Sequence, residues 1–200
     1  LATQRARWEQ SDTLQALLDP DVPPEMVYLT YIQYCAIGTQ LTRPVEGWIY
    51  RSGERCVDIG MNDLGTMLKK HSVHEKNHDH MMVKDTISLV ERWNQLYPTN
   101  RLDADGLLSQ PVTQVSKAYT ALHEDVISGE SPFTQIAIEY EIERLSVVLG
   151  PRLLRHVKDR CGDEFIHYLS FLDDHVQIDV VHTELNREHL DAFLMEHPNT

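Results

Sequence analysis

What most constrains this chain is where its helix breakers fall. Nine Pro and nine Gly are spread over 200 residues. They gather between long stretches whose apolar residues recur at helical spacing, which is the pattern of an all-α protein. The breakers predict a first helix over 5–18, stopped by Pro20 and the Pro23-Pro24 pair. A second stretch runs over 25–56, bent near Gly38 or Pro44. A third covers 61–97, interrupted near its start and closed by Pro98. Residues 99–111 read as a loop. A fourth helix is expected over 112–128. After a turn at 129–132, a fifth covers 133–149 and stops at Gly150-Pro151. Pro151 suits the first position of a further helix, 151–160. A long helix from 163 to 179 and beyond, and a terminal one over 185–196, complete a bundle of about seven. No composition shift marks a linker, so a single domain over 1–200 is expected.

Charge narrows the function. The net charge of −13 argues against nucleic acid and anionic membranes, because both need a Lys/Arg surplus. No apolar run approaches the ~18 residues of a membrane span, and no signal-peptide core is visible. The three cysteines, Cys35, Cys56 and Cys161, form neither a CxxC nor a disulfide framework. They fit a reducing compartment and predict a cytoplasmic location.

Eleven His are present, and their placement carries the chemistry. His175, Asp179 and His182 fall within about 60° of arc on one helix. Two imidazoles and a carboxylate on one stripe form a metal-ligand pattern, although a solvated polar face has the same spacing. His71, Glu75 and His78 repeat that spacing and those residue types about a hundred residues earlier, in a stretch that also holds His74 and His80. A pair of ions also needs carboxylates from neighbouring helices. Glu139 and Glu143 share a face of the fifth helix, and Glu141 points away from both. A carboxylate on so apolar a helix needs a partner, since burying it alone costs several kcal/mol. Imidazole plus carboxylate without thiolate suits iron, manganese or zinc. About six ligands with carboxylate in excess fits a di-iron or di-manganese pair better than structural zinc.

Three motifs resemble one family. The run His74-Glu75-Lys76-Asn77-His78-Asp79, with Asp85, resembles the "H-E-E-x-G-H-D…D" stretch of the heme-oxygenase-like di-iron oxidases, which are related in fold to thiamin-salvage and PQQ-synthesis proteins. The helix from Glu143 to Pro151 resembles that family's "E-G-L-S/A…G-P" helix. The stretch from Phe171 to Thr183 resembles its "F-L…H-x3-D-x2-H-T" helix. The similarity covers about 64–194; the first 60 residues match only in helical character. Departures are Asn77 where the family usually has Gly, and the extra His71, His74 and His80.

The resemblance implies a single-domain, all-α heme-oxygenase-like bundle without heme. It implies six ligands: Glu75, His78, Glu143, His175, Asp179 and His182; His71 and Glu139 are further candidates from their own spacing. It implies two Fe(II) ions per chain, O2 as co-substrate, and oxidation of a small amino-acid- or amine-derived molecule in natural-product biosynthesis, by N-oxygenation or oxidative bond cleavage. A homodimer and an external electron donor are compatible with it.

Three other readings make different demands. A ferritin-like di-iron bundle needs Glu46 at the metal and leaves His175 unused. A cofactorless hydrolase of the thiamin-salvage type needs a Cys nucleophile, for which Cys35 is the candidate. A non-catalytic helical protein needs no metal at all.

Overall fold

The computed structural model describes residues 2–196, with the side chains of residues 2, 181 and 182 outside the description. The described residues are all-α. The expected first helix is two short ones, α1 (Ala2–Glu9) and α2 (Asp12–Leu17). Ser11 separates them, and its hydroxyl accepts from Leu14 N at 3.3 Å; serine serves better as a cap than inside a helix. The second stretch breaks at Pro44, and not at Gly38, into α3 (Pro24–Thr42) and α4 (Val45–Asp58). The third breaks into α5 (Asn62–Ser72) and α6 (His78–Leu96). The expected loop holds a short α7 (Ala104–Leu108), capped by the Asp103 carboxylate accepting from Gly106 N at 3.0 Å. Then follow α8 (Gln114–Ser128), a 3₁₀ turn (Pro132–Thr134), α9 (Gln135–Cys161), a second 3₁₀ turn (Asp163–Tyr168) and α10 (Ser170–Glu196). Ten α-helices among the described residues replace the expected seven or so.

Two boundaries differ from expectation in ways that matter for the site. Gly150-Pro151 does not stop the fifth helix; α9 runs through it for 27 residues. An interior Pro costs about 3 kcal/mol, so tertiary packing must outweigh it. It does so from both ends: α9 buries Ile136 in one apolar cluster and Leu153 and Val157 in another. Gly150 is needed because a Cβ there would run into the Val176 side chain of α10. The breaker pair thus marks a close helix–helix contact. Conversely, the last long helix begins only at Ser170, and it absorbs the separate terminal helix.

The helices pack chiefly as pairs: α3 on α6, α4 on α5, α9 on α10. The α4–α5 contact is backbone-close, since a Cβ at Gly65 would lie 2.5 Å from Gly53 O. The larger core gathers Tyr28, Ile32 and Cys35 of α3, Met82, Leu89 and Trp93 of α6, and Phe165 and Leu172 near the start of α10. The smaller one holds Ile49, Cys56, Leu68 and Ile136. Along α9, Glu139 and Glu143 fall between the residues given to the two clusters. Apolar packing on either side therefore fixes two carboxylates in the interior.

Candidate metal centre

The centre forms where α5 ends and α6 begins. Asn77 turns the chain there with φ 69° and ψ 11°, the left-handed region. Asn tolerates that conformation better than most side chains, so it can stand where the resemblance expects Gly. His71, Glu75 and His78 consequently do not share one helix face, as their spacing predicts. His71 lies in the last turn of α5, Glu75 in the connecting turn, and His78 opens α6.

They converge all the same. Glu75 Oε2 lies 2.8 Å from His78 Nδ1, and Glu75 Oε1 lies 3.7 Å from His71 Nε2. His71 Nε2 is 3.4 Å from Glu143 Oε1. Two groups result, Glu75–His78–His175 and His71–Glu75–Glu143, each with donor atoms within 4.8 Å of one another. Glu75 belongs to both, one oxygen toward each. Metal–ligand bonds of about 2.0–2.2 Å meeting at a right angle put donor atoms about 3 Å apart, comparable with the 2.8, 3.4 and 3.7 Å separations here.

Neighbouring residues orient the donors. His175 Nδ1–H donates to Phe171 O at 2.7 Å, leaving Nε2 as the nitrogen that can take an ion. The Phe171 ring stacks on His175 at 3.9 Å between centroids. Asn186 Nδ2 donates to Glu143 Oε2 at 2.6 Å. The Gln135 amide donates to Glu139 Oε1 and also contacts His123 Nδ1 at 3.0 Å; His123 in turn stacks on Trp48. Glu139 is thus buried beside the centre but belongs to neither group. Asp179 is 3% exposed and lines the same cavity, with its donor atoms outside both groups. The His182 side chain lies outside the described residues. Glu141 points away, as the helix arithmetic requires, and pairs with Arg5. His80 is exposed and takes no part.

Sequence reasoning missed Asn186, Gln135 and the Ser146 that hydrogen-bonds Asp179. A signal for them exists. Gln135, Glu139, Glu143 and Ser146 follow one another at helical intervals of four, four and three. Asn186 continues the His175, Asp179, His182 stripe by four.

The electrostatics are those of a site short of positive charge. Burial, opposed by the Asn186 hydrogen bond and aided by Asp179 and Glu75, raises the Glu143 carboxyl to about 8. Burial lifts Asp179 to about 7, opposed by the Ser146 hydrogen bond. Glu139 rises well above the usual range, through burial and then Glu75. Glu75 is the exception. Burial raises it, but the His78 hydrogen bond and the nearby imidazoles outweigh that and hold it below its ordinary value. Burial, then His78, lowers His175, favouring the neutral ring a metal requires. Bound cations would relieve the crowded carboxylates.

A cavity of about 270 Å³ opens onto the centre, with His74, Asp174 and Ile178 completing its wall. Two alternative demands are not met among the described residues. Glu46 is in neither donor group. Cys35 is 1% exposed within the larger core, its thiol held far above the ordinary range by burial and then Asp85, so it is a packed side chain.

The fold is heme oxygenase-like. A domain of unknown function with that fold from Shewanella denitrificans superposes with a TM-score of 0.71 over 96% of this chain and 75% of that one, at 15% identity. No family model matches the chain, and no curated protein is significantly similar to it. At 15% identity the likeness is one of architecture, and it fits the all-α expectation. No helix among the described residues is long and apolar enough to cross a membrane.

Proposed function

We propose that this chain holds two Fe(II) ions, with Glu75 common to both donor groups, and uses them with O2 to oxidise a small amino-acid- or amine-derived molecule. The observation that carries the reading is the shared carboxylate, with one Glu75 oxygen beside His78 and the other toward His71. In this reading Glu75, His78 and His175, with Asp179 beside them, hold one ion; His71, Glu75 and Glu143 hold the other, and His182 is the further ligand that the resemblance implies. The all-nitrogen-and-oxygen donor set suits iron, and no cysteine enters either group. When bound, a reduced iron pair would supply O2 activation at these residues.

The chain's own residues do the rest. Phe171 O fixes the His175 tautomer, and Asn186 fixes one Glu143 oxygen so that the other faces His71. Glu139, its carboxyl pushed well above the usual range by burial and held by Gln135, sits next to Glu75. The cavity is at the small end for ligand pockets and is sized for a small molecule. A single domain, and any external electron donor, belong to the same proposal.

Anaerobic Fe(II) titration should saturate at two ions per chain, and the loaded protein should consume O2 when substrate is present. Saturation that is unchanged in His175→Ala and in Glu143→Ala would sink the ligand assignment.

A further inference from the structure

Asp85 is a buried carboxylate, 2% exposed, that is not among the proposed ligands. It stands seven residues beyond His78, two turns along the same side of α6. Both its oxygens are given to the first turn of α10. Ser170 Oγ donates to Oδ1 at 2.6 Å, and Phe171 N donates to Oδ2 at 2.9 Å. The first N–H groups of a helix have no partner inside it and attract negative charge. Asp85 supplies that partner from another helix.

The contacts continue back to His78. Phe171, whose N–H is bound by Asp85, gives its carbonyl to His175 Nδ1–H, and its ring stacks on His175 and meets His78 edge-on at 5.8 Å. The His78 and His175 rings lie 4.5 Å apart between centroids. His78 and Asp85 on α6, and Phe171 and His175 on α10, therefore form a closed loop. We propose that Asp85 is the positioning residue of the Glu75–His78–His175 subsite: by fixing the first turn of α10 it sets the tautomer and orientation of His175 and the spacing of the two imidazoles. This rests on the two-ion reading, and the His71–Glu143 subsite has no such dependence on Asp85.

The test has two arms. In the metal-free protein, nitrogen-resolved NMR of labelled histidine should show His175 as the Nδ1–H tautomer, assigned by its loss in His175→Gln. Asp85→Ala should abolish that state, whereas Asp85→Asn should restore it, because Asn can still accept from Phe171 N–H while donating to Ser170 Oγ. In Co(II) titrations Asp85→Ala should weaken one of two binding steps by about tenfold to a hundredfold, the usual effect of losing an outer-shell partner. The second step should hold within about twofold. Ser170→Ala should give a smaller loss in the same step and stands in if Asp85→Ala does not fold. A lowered melting temperature with tautomer and both steps intact would reduce Asp85 to a helix cap and overturn the proposal, as would equal weakening of both steps. If the wild-type protein binds no Co(II), the two-ion reading fails, and the tautomer arm alone decides whether Asp85 positions His175.

Discussion

Glu75 Oε2 lies 2.8 Å from His78 Nδ1, which leaves its other oxygen turned toward His71. A carboxylate placed this way couples two sites that share no other donor. Its removal should therefore differ in kind from removal of any other proposed ligand. Glu75→Ala should lose both ions together. His175→Ala and Glu143→Ala should each lose one and weaken the other modestly. Metal content after equilibrium dialysis, compared across the three variants, checks this. Retention of one ion in Glu75→Ala would remove the bridge.

The site's charge predicts an unusual pH response. In the metal-free protein Glu143 is raised to about 8 and Asp179 to about 7, from ordinary values near 4, chiefly by burial. Raised carboxyls hold protons in the folded state that the unfolded chain has already released. Their stabilising contribution is full below about pH 4 and is lost as pH rises toward 8. Thermal unfolding in chelator should show the melting temperature falling across that window. Glu143→Gln should flatten the slope. With metal the slope should reverse, because ligands must lose their protons to bind, and metal uptake near pH 7 should release protons.

The glutamate and histidine stripes were legible in the sequence because helical spacing places residues three and four apart on one face. On that basis His175 with Asp179, and Glu139 with Glu143 opposed to Glu141, are positioned as expected. The His71–Glu75–His78 triplet was legible for a different reason from the one its spacing gave. It converges through a left-handed turn at Asn77, and helical arithmetic does not describe such a turn. Pro151 misled because propensity is local, whereas the packing of Ile136, Leu153 and Val157 that carries α9 past it is not. Whether Glu139 or Glu143 faces the neighbouring imidazole could not be read from a shared face; Asn186 and Gln135 each hold one of them, and those partners come from tertiary structure.

Asn77 makes its own prediction. It is the one described non-Gly residue with positive φ, and it lies between Glu75 and His78, two of the proposed ligands. Asn77→Gly should be neutral or slightly stabilising and leave metal affinity intact. Asn77→Ala should cost about 1–2 kcal/mol, and Asn77→Val more, because a branched side chain resists this conformation. Urea unfolding of the metal-free proteins measures the cost. Metal titration of the same variants should show affinity falling in the same order, since the turn must hold Glu75 and His78 2.8 Å apart.

Gly150 offers the sharpest test of how α9 meets α10. On helix propensity alone, Gly150→Ala should stabilise α9 by about 1 kcal/mol. The new methyl, however, runs into Val176, and overpacking of this kind costs about 1–3 kcal/mol. The contact should win, because Val176 packs against the larger core and has little room to withdraw. Gly150→Ala is therefore expected to destabilise, and Val176→Ala to destabilise as well by emptying its place. The double variant should recover part of the loss, with a coupling of about 0.5–3 kcal/mol in a double-mutant cycle. Val176 follows His175, so Gly150→Ala should also weaken the subsite that uses His175 more than the one that uses His71. A stabilising Gly150→Ala would mean that α9 and α10 do not approach this closely, and the placement of His175 opposite α6 would have to be redrawn.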